Sequence, residues 1–408
     1  MFIKLGKLAM GKYISRLSLA GCLLCLTSAG LADAKPDDNL QFSGFARVVA
    51  GYLDENDAQY LGYENKISVA EQSLLGLQAD YRITDDLSAT IQAIARTGDE
   101  TDSGIEWFYV TYTPINSLRF KLGRQRTPTY SYSDFVDVGF AYNWVSLPQQ
   151  VYRQFLFPNY DGLHAQYEYV GTNISLGIEA FTGGIDQDFK ANDEVIDTDI
   201  DNLHGLVGTI EYVGWTLRAA YIRGDVDITR QDLSDFSSLL SMSGFTQSAD
   251  SLSLIGAGRF YQVSAFYEDV DYFFRTEVIR IDTELFVAPV TDAYFVSGGY
   301  NFYPFSVYVS ISRDTNSYSN PVNEIPIGFN AQLDQLALGY QQAFSEFDDN
   351  SSISYTTGIR WDWKSTVALK AEATLLKQRE GNQGLFSNPN ADFDGKAMLY
   401  QVALEWVF

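Results

Sequence analysis

The last twelve residues of the chain, Ala397 to Phe408 (AMLYQVALEWVF), alternate with a period of two. Met398, Tyr400, Val402, Leu404, Trp406 and Phe408 share one face of an extended strand; Leu399, Gln401, Ala403 and Glu405 share the other. A strand with so aromatic a face needs an apolar phase on one side and a polar space on the other. An edge strand of a soluble sandwich meets that need poorly. The closing strand of a transmembrane β-barrel meets it directly, with lipid outside and a lumen inside.

Such a barrel must supply partners for its last strand, and the same alternation recurs in sixteen segments in all. The first is Leu40 to Tyr52. The clearest hairpin joins Leu74–Ile83 to Leu87–Arg96 through Thr84-Asp85-Asp86, with Leu75, Leu77, Ala79 and Tyr81 facing lipid and Gln78, Asp80 and Arg82 facing inward. Further pairs are Ile105–Thr113 with Leu118–Arg126, Gly162–Tyr169 with Ile174–Phe181, and His204–Val213 with Trp215–Arg223. Phe260–Glu268 with Tyr272–Asp282, Ala293–Asn301 with Phe305–Arg313, and Ile353–Trp363 with Thr366–Leu375 complete the set before the closing strand. Seven short turns then alternate with eight longer connections, the asymmetry of bacterial barrels. All ten prolines are expected outside the strand interiors, because proline cannot donate to a ladder.

The expected fold is therefore all-β: a transmembrane antiparallel β-barrel of sixteen strands, one domain over residues 35–408, with short periplasmic turns and long extracellular loops. Two loops carry helical spacing instead. Leu333, Leu336, Ala337, Tyr340, Phe344 and Phe347 recur at three or four, as do Leu233, Phe236, Leu240 and Phe245 less regularly. These predict short helices over or in the barrel mouth, with an extra hairpin as the alternative for Gln332–Phe344.

Residues 1–34 read as a cleaved signal peptide. Lys4, Lys7, Lys12 and Arg16 precede an apolar run from Leu17 to Leu26, and Ala32-Asp33-Ala34 offers a small-residue cleavage site. Met10 is an alternative start, and Leu19-Ala20-Gly21-Cys22 an alternative lipoprotein box. Cleavage removes Cys22 and Cys25, leaving no disulfide and no thiolate metal site. It also removes four basic residues and one acidic residue, which takes the net charge from −24 to −27 and argues against a nucleic-acid partner. The acidic runs Asp193-Glu194, Asp197, Asp199, Asp201 and Glu346, Asp348, Asp349 fall where loops are expected. The 27 Tyr, 27 Phe and 6 Trp suit interfacial girdles in a chain with no apolar run after residue 34 long enough for a membrane helix.

The chemistry of a barrel lies on its inward positions. Leu118, Phe120 and Leu122 set the lipid face of the fifth strand, so Arg119 and Lys121 point inward, while alternation leaves the direction of Arg124 and Arg126 open. The segment Thr127 to Tyr160 follows, carrying Tyr130, Tyr132, Asp134, Asp137, Tyr142, Trp144 and Arg153. Phe135, Val138, Phe140, Val145, Leu147 and Phe155 make it too apolar for an exposed loop, and folding into the lumen would bury them. Asp134 and Asp137 would then face Arg119, Lys121, Arg47 and Arg96 across the narrowest point, a transverse field able to select solutes by charge. Ordinary mutual neutralisation of lumenal charges is the rival reading. Strand phase also turns Arg218, Arg360 and Lys370 inward, against Asp80, Glu168, Glu179, Glu211, Glu268, Glu372 and Glu405, so the sign of any selectivity stays open.

Gly123-Arg124-Gln125-Arg126-Thr127-Pro128, Tyr130, Ser133-Asp134, Val138-Gly139-Phe140-Ala141-Tyr142, Pro148 and Val151-Tyr152 resemble the strand-five and loop-three region of Gram-negative outer-membrane porins. Tyr355 to Trp363 with Ala368 to Glu372 resembles their penultimate hairpin, and terminal Phe408 their assembly signal. The resemblance implies a water-filled, loop-three-constricted barrel for passive diffusion of small hydrophilic solutes or ions. It also implies insertion by the outer-membrane assembly machinery into a surround of outer-membrane lipid and lipopolysaccharide. The chain lacks the Pro-Glu-Phe-Gly-Gly loop of enteric porins, so their detailed constriction does not carry over, and a homotrimer stays one of the open oligomeric states.

With only His164 and His204, no Gly-x-Ser-x-Gly and no His-Glu-x-x-His, the sequence offers no catalytic centre, and it suggests no metal site or cofactor. The segment before the first strand is too short for the plug of a TonB-dependent transporter. The competing function is a barrel that acts as adhesin, receptor or structural anchor through its extracellular loops.

Overall fold

The computed structural model describes residues 39–98, 103–154, 157–191, 194–345, 347–380, 385–390 and 392–408. The signal-peptide segment, Asp193, Glu346 and Phe155 lie outside the described residues. Sixteen antiparallel strands run in chain order around a closed barrel. They are β1 (Leu40–Leu53), β2 (Leu74–Arg82), β3 (Leu87–Arg96), β4 (Gly104–Ile115), β5 (Leu118–Arg126), β6 (Asn159–Val170), β7 (Ile174–Ala191) and β8 (Glu194–Tyr212). Then come β9 (Trp215–Thr229), β10 (Ile255–Glu268), β11 (Tyr272–Thr283), β12 (Val290–Phe302), β13 (Phe305–Ser317), β14 (Asn350–Lys364), β15 (Val367–Glu380) and β16 (Lys396–Val407). Each strand bonds its neighbours in sequence, so closure removes every sheet edge.

The closing pair is β1 with β16. Ala46 lies opposite Trp406, Arg47 opposite Glu405 and Gly51 opposite Gln401. Beyond the ladder, Phe408 and Gly44 exchange two backbone hydrogen bonds of 2.8 and 2.9 Å. A Cβ on Gly44 would stand 2.5 Å from the Phe408 ring, so only glycine lets the terminal aromatic lie on the first strand. The outer face is apolar, as lipid demands: Leu122, Val263 and Val309 are more than 60% exposed.

Two differences from the sequence reading have physical causes. Asp197, Asp199 and Asp201 lie in β8, where a loop was expected, because β7 and β8 run on past the length needed to cross a membrane. The alternation simply continues there: Ile185, Ile196 and Ile200 are buried, while Asp186, Asp197, Asp199 and Asp201 are exposed. Pro114 lies inside β4, not in the turn. The β4–β5 ladder breaks register between Tyr112 and Ile115, so the missing N–H falls where no bond is made.

The helical spacing matches α2 (Gln231–Met242) and α4 (Ala331–Phe344), whose first turn is capped by Asn330 accepting from the Leu333 amide; a short α3 (Thr246–Asp250) that the spacing did not mark follows α2, and α1 (Gln149–Tyr152) is a single turn in the β5–β6 connection. The loops bearing α2 to α4 share a small core around Leu233, Leu240, Leu252, Ala337 and Tyr340. A second core, with Leu53, Tyr60, Tyr63, Leu376, Phe386 and Leu399, joins the β1–β2 and β15–β16 connections.

Candidate functional site

The connection from β5 to β6, residues 127–158, packs against the inward side chains of the barrel wall. Its aromatics explain the docking: Tyr130, Tyr132, Tyr142 and Trp144 are buried in one cluster with wall residues Phe260, Phe273, Phe295 and Tyr308. Trp144 meets Phe295 and Tyr308 at 5.7 and 6.0 Å in edge-to-face geometry, and Tyr130 meets Phe260 at 5.5 Å.

Polar wall groups then satisfy the loop backbone, which would otherwise be buried without partners. The Glu277 carboxylate accepts from the Ser131 amide at 2.9 Å and the Tyr152 hydroxyl at 2.5 Å. Glu372 accepts from the Val145 amide at 2.9 Å. The Lys370 ammonium donates to the Gly139 and Trp144 carbonyls at 2.7 and 2.8 Å and pairs with Glu405 at 2.5 Å. Arg360 donates to the Phe140 and Tyr142 carbonyls, and Arg218 to those of Pro128 and Thr129. Gly139 sits directly on the closing strand. A Cβ there would lie 2.2 Å from Glu405 Oε1, a carboxylate that its ion pair with Lys370 keeps in place.

On the opposite flank the loop is held by charge. Asp137 pairs with Arg126 at 2.6 Å and with Arg96 at 3.1 Å. Both guanidiniums also reach Glu106, at 3.4 and 2.5 Å. Two acids and two bases thus form a closed ring spanning β3, β4, β5 and the loop. Burial alone would raise the Asp137 carboxyl, yet Arg126 and Arg96 hold it below its ordinary value. Arg126 also lies over the Trp107 ring at 5.5 Å.

The sequence-derived candidates separate into groups. Arg47, Arg96, Arg126, Tyr130, Asp137, Arg360 and Lys370 meet at the loop; Arg47 donates to the Tyr142 hydroxyl at 3.3 Å and to the Gln72 carbonyl at 2.9 Å. Arg119 and Lys121 take the inward phase but do not touch the loop carboxylates: Arg119 reaches Gln166 at 3.5 Å and Lys121 lies over the Tyr109 ring at 5.0 Å. Asp134 is exposed and has no ion pair among the described residues. Arg124, a lumen candidate whose direction alternation left open, does not face the lumen. It stands opposite Phe108 and Asp161 on the lipid-facing side and pairs with Asp161 at 2.8 Å, because regular alternation carries it to the same face as Leu122. Phe408 lies at the seam, outside the site.

Three participants escape the sequence reading. Glu106 turns inward at a β-bulge, where the β3–β4 register shifts between Gln92 and Ala93, and simple alternation cannot show that. Arg275 and Glu277 on β11 share their inward face with Phe273 and Ile279, so both faces of that strand look apolar and its phase is masked. Their two charges at a spacing of two are the signal that could have found them.

The docking is uneven, although the loop also reaches Arg96, Arg126 and Arg218 on β3, β5 and β9. Inward residues from β10 to β16 lie under the loop: Gln262, Glu277, Ser297, Lys370, Gln401 and Glu405 are all at most 2% exposed. On β2 to β9 the inward Asp80, Tyr109, Lys121, Gln166, Glu179 and Thr209 keep partial exposure, and Arg119, Glu168 and Glu211 are open.

No family model matches the chain, and no curated protein matches it. Solved structures do. The loop L8 deletion mutant of OmpT, an outer membrane protein of Vibrio cholerae, is similar with a TM-score of 0.55 at 13% identity, over 90% of this chain and 99% of that one. The anion-selective porin of Comamonas acidovorans gives 0.55 at 11% identity, over 90% and 99%. OmpF of Salmonella typhi, in complex with daunomycin, gives 0.52 at 14% identity, over 91% and 98%. The likeness is one of fold: these are outer-membrane barrels, and porins are among them.

Proposed function

We propose that the chain is an outer-membrane porin: a channel, narrowed by residues 127–158, through which small hydrophilic solutes or ions diffuse passively. The observation that carries this reading is the uneven burial of the inward residues around the barrel. A plug would bury inward residues all round, whereas here charged and polar groups on β2 to β9 keep contact with solvent. Those groups, with Asp134 on the loop side and Arg119 and Lys121 on the wall, are the ones a passing ion would meet. The bases bonded to loop carbonyls and the acids bonded to loop amides hold the loop and do not select. The reading assigns the chain no catalysis: His164 lies 3.1 Å from Glu179, and His204 sits 2.7 Å from the Asn202 carbonyl.

The purified barrel in planar bilayers should give stepwise conductance, and deleting Ser131 to Tyr152 should enlarge each step. A folded barrel that leaves the bilayer silent sinks the reading. Reversal potential in a salt gradient should move toward cations in Arg119→Ala with Lys121→Ala, and an unmoved potential would take both residues off the ion path. The second reading, a barrel acting through its outward loops, has in its favour the two loop cores, which order segments a bare channel could leave loose. It predicts a closed lumen in the same bilayer.

A further inference from the structure

Between the β1–β2 and β15–β16 connections lies a cleft of about 390 Å³, lined by Asn56, Asp57, Gln59, Asn65, Asn388 and Asn390. The volume falls within the range of small-molecule sites, about 300–1,000 Å³, but the lining does not fit an apolar ligand. Glu64 and Lys66 complete the wall and neutralise each other at 2.7 Å, so one side of the cleft presents no net charge.

The walls are built, not loose. Gln59 and Ser387 exchange two backbone hydrogen bonds of 2.9 and 2.8 Å, and Asn390 donates to Asp57 through both its backbone and its side chain. Beneath them Tyr60 meets Phe386 at 6.0 Å and Phe386 meets Phe393 at 4.7 Å, within the core that joins the two connections. That core includes Leu53 and Leu399, which pair across the closing seam. It holds two sequence-distant loops in one arrangement, which is what a site for a small ligand requires.

Within this frame the side-chain amides of Asn56 and Asn388 have no partner among the described residues, although Asn388 is held at φ +51°, a conformation asparagine tolerates at a cost. Each amide presents a donor pair and an acceptor side by side, and several in one cleft match adjacent hydroxyls better than they match a charge. At the long-loop end, the outward end in bacterial barrels, the cleft opens to the exterior.

We propose that this cleft binds a neutral saccharide, one or two rings in size, with Asn56 and Asn388 as principal hydrogen-bonding residues. Loss of two hydrogen bonds to the ligand should weaken binding about tenfold. The test uses the full chain in detergent micelles and saturation-transfer NMR with glucose, N-acetylglucosamine and maltose. Saturable binding of one of them, weakened about tenfold in Asn56→Ala with Asn388→Gly, is the expected result; glycine at 388 keeps the backbone conformation, and both positions are exposed, so the barrel is not perturbed. Three outcomes overturn the proposal: no saturable binding of any of the three sugars, binding that the double variant leaves unchanged, or displacement of the sugar signal by calcium chloride, which would make the cleft a cation site.

Discussion

The Asp137 carboxylate is the residue on which one flank of the docked loop depends. Its pairing with Arg96 and Arg126 outweighs the cost of its burial, so its value lies below the ordinary one. A depressed carboxyl contributes stability that is complete above its unfolded value, about 3.9, and is lost as pH falls through the folded value. The loop should therefore keep this anchor from neutral pH to about pH 4 and lose it only below. Asp137→Asn leaves two guanidiniums to Glu106 alone, a change that costs about 3–5 kcal/mol when the group is buried, and should expose residues 127–158 to protease at pH 7. Equal protection of variant and wild type at that pH would show that the ring is not an anchor. Arg96 and Asp137 were legible from strand phase and loop composition. Glu106 was not, since a bulge reverses phase without leaving a mark in the sequence, and Arg124 differs from Arg126 although both pair with β6, the β4 side of the ladder ending at Arg124.

At the scale of elements, the periodicities held their information well. A period of two marks strands because one wall faces lipid and the other does not, and a period near 3.6 marks α2 and α4 because one face of each helix is buried. Their mutual packing is a different matter. The Ser251 hydroxyl lies 2.6 Å from the Tyr340 hydroxyl, which donates to the Val322 carbonyl, and Glu324 accepts from the Gln247 amide. Nothing in either loop announces the other. Leu240→Ala, at a fully buried position, should cost this cap about 2–5 kcal/mol. Amide exchange should then rise in both α2 and α4 while barrel strands keep their protection; a rise confined to α2 would mean that the two loops do not stabilise each other.

For the whole molecule, the seam decides whether sixteen strands make a barrel or an open sheet with two exposed edges. The Phe408 ring lies on Gly44 and its backbone extends the last ladder, so Phe408→Ala should cost on the order of 1 kcal/mol and lower the fraction of chain that migrates as a folded, heat-modifiable species on gels run without boiling. An unchanged fraction would leave the ring without a role in closure. Alternation by itself determined the fold class, the strand order and the apolar outer wall, because each strand must meet lipid on one face whatever its neighbours do. Composition marked residues 127–160 as too apolar for an exposed loop. Which part of the lumen that loop covers, which charges hold it and which remain open to solvent were decided only by tertiary structure. Those contacts join residues more than two hundred positions apart, such as Gly139 with Lys370 and Val145 with Glu372, and local spacing carries no record of such pairs.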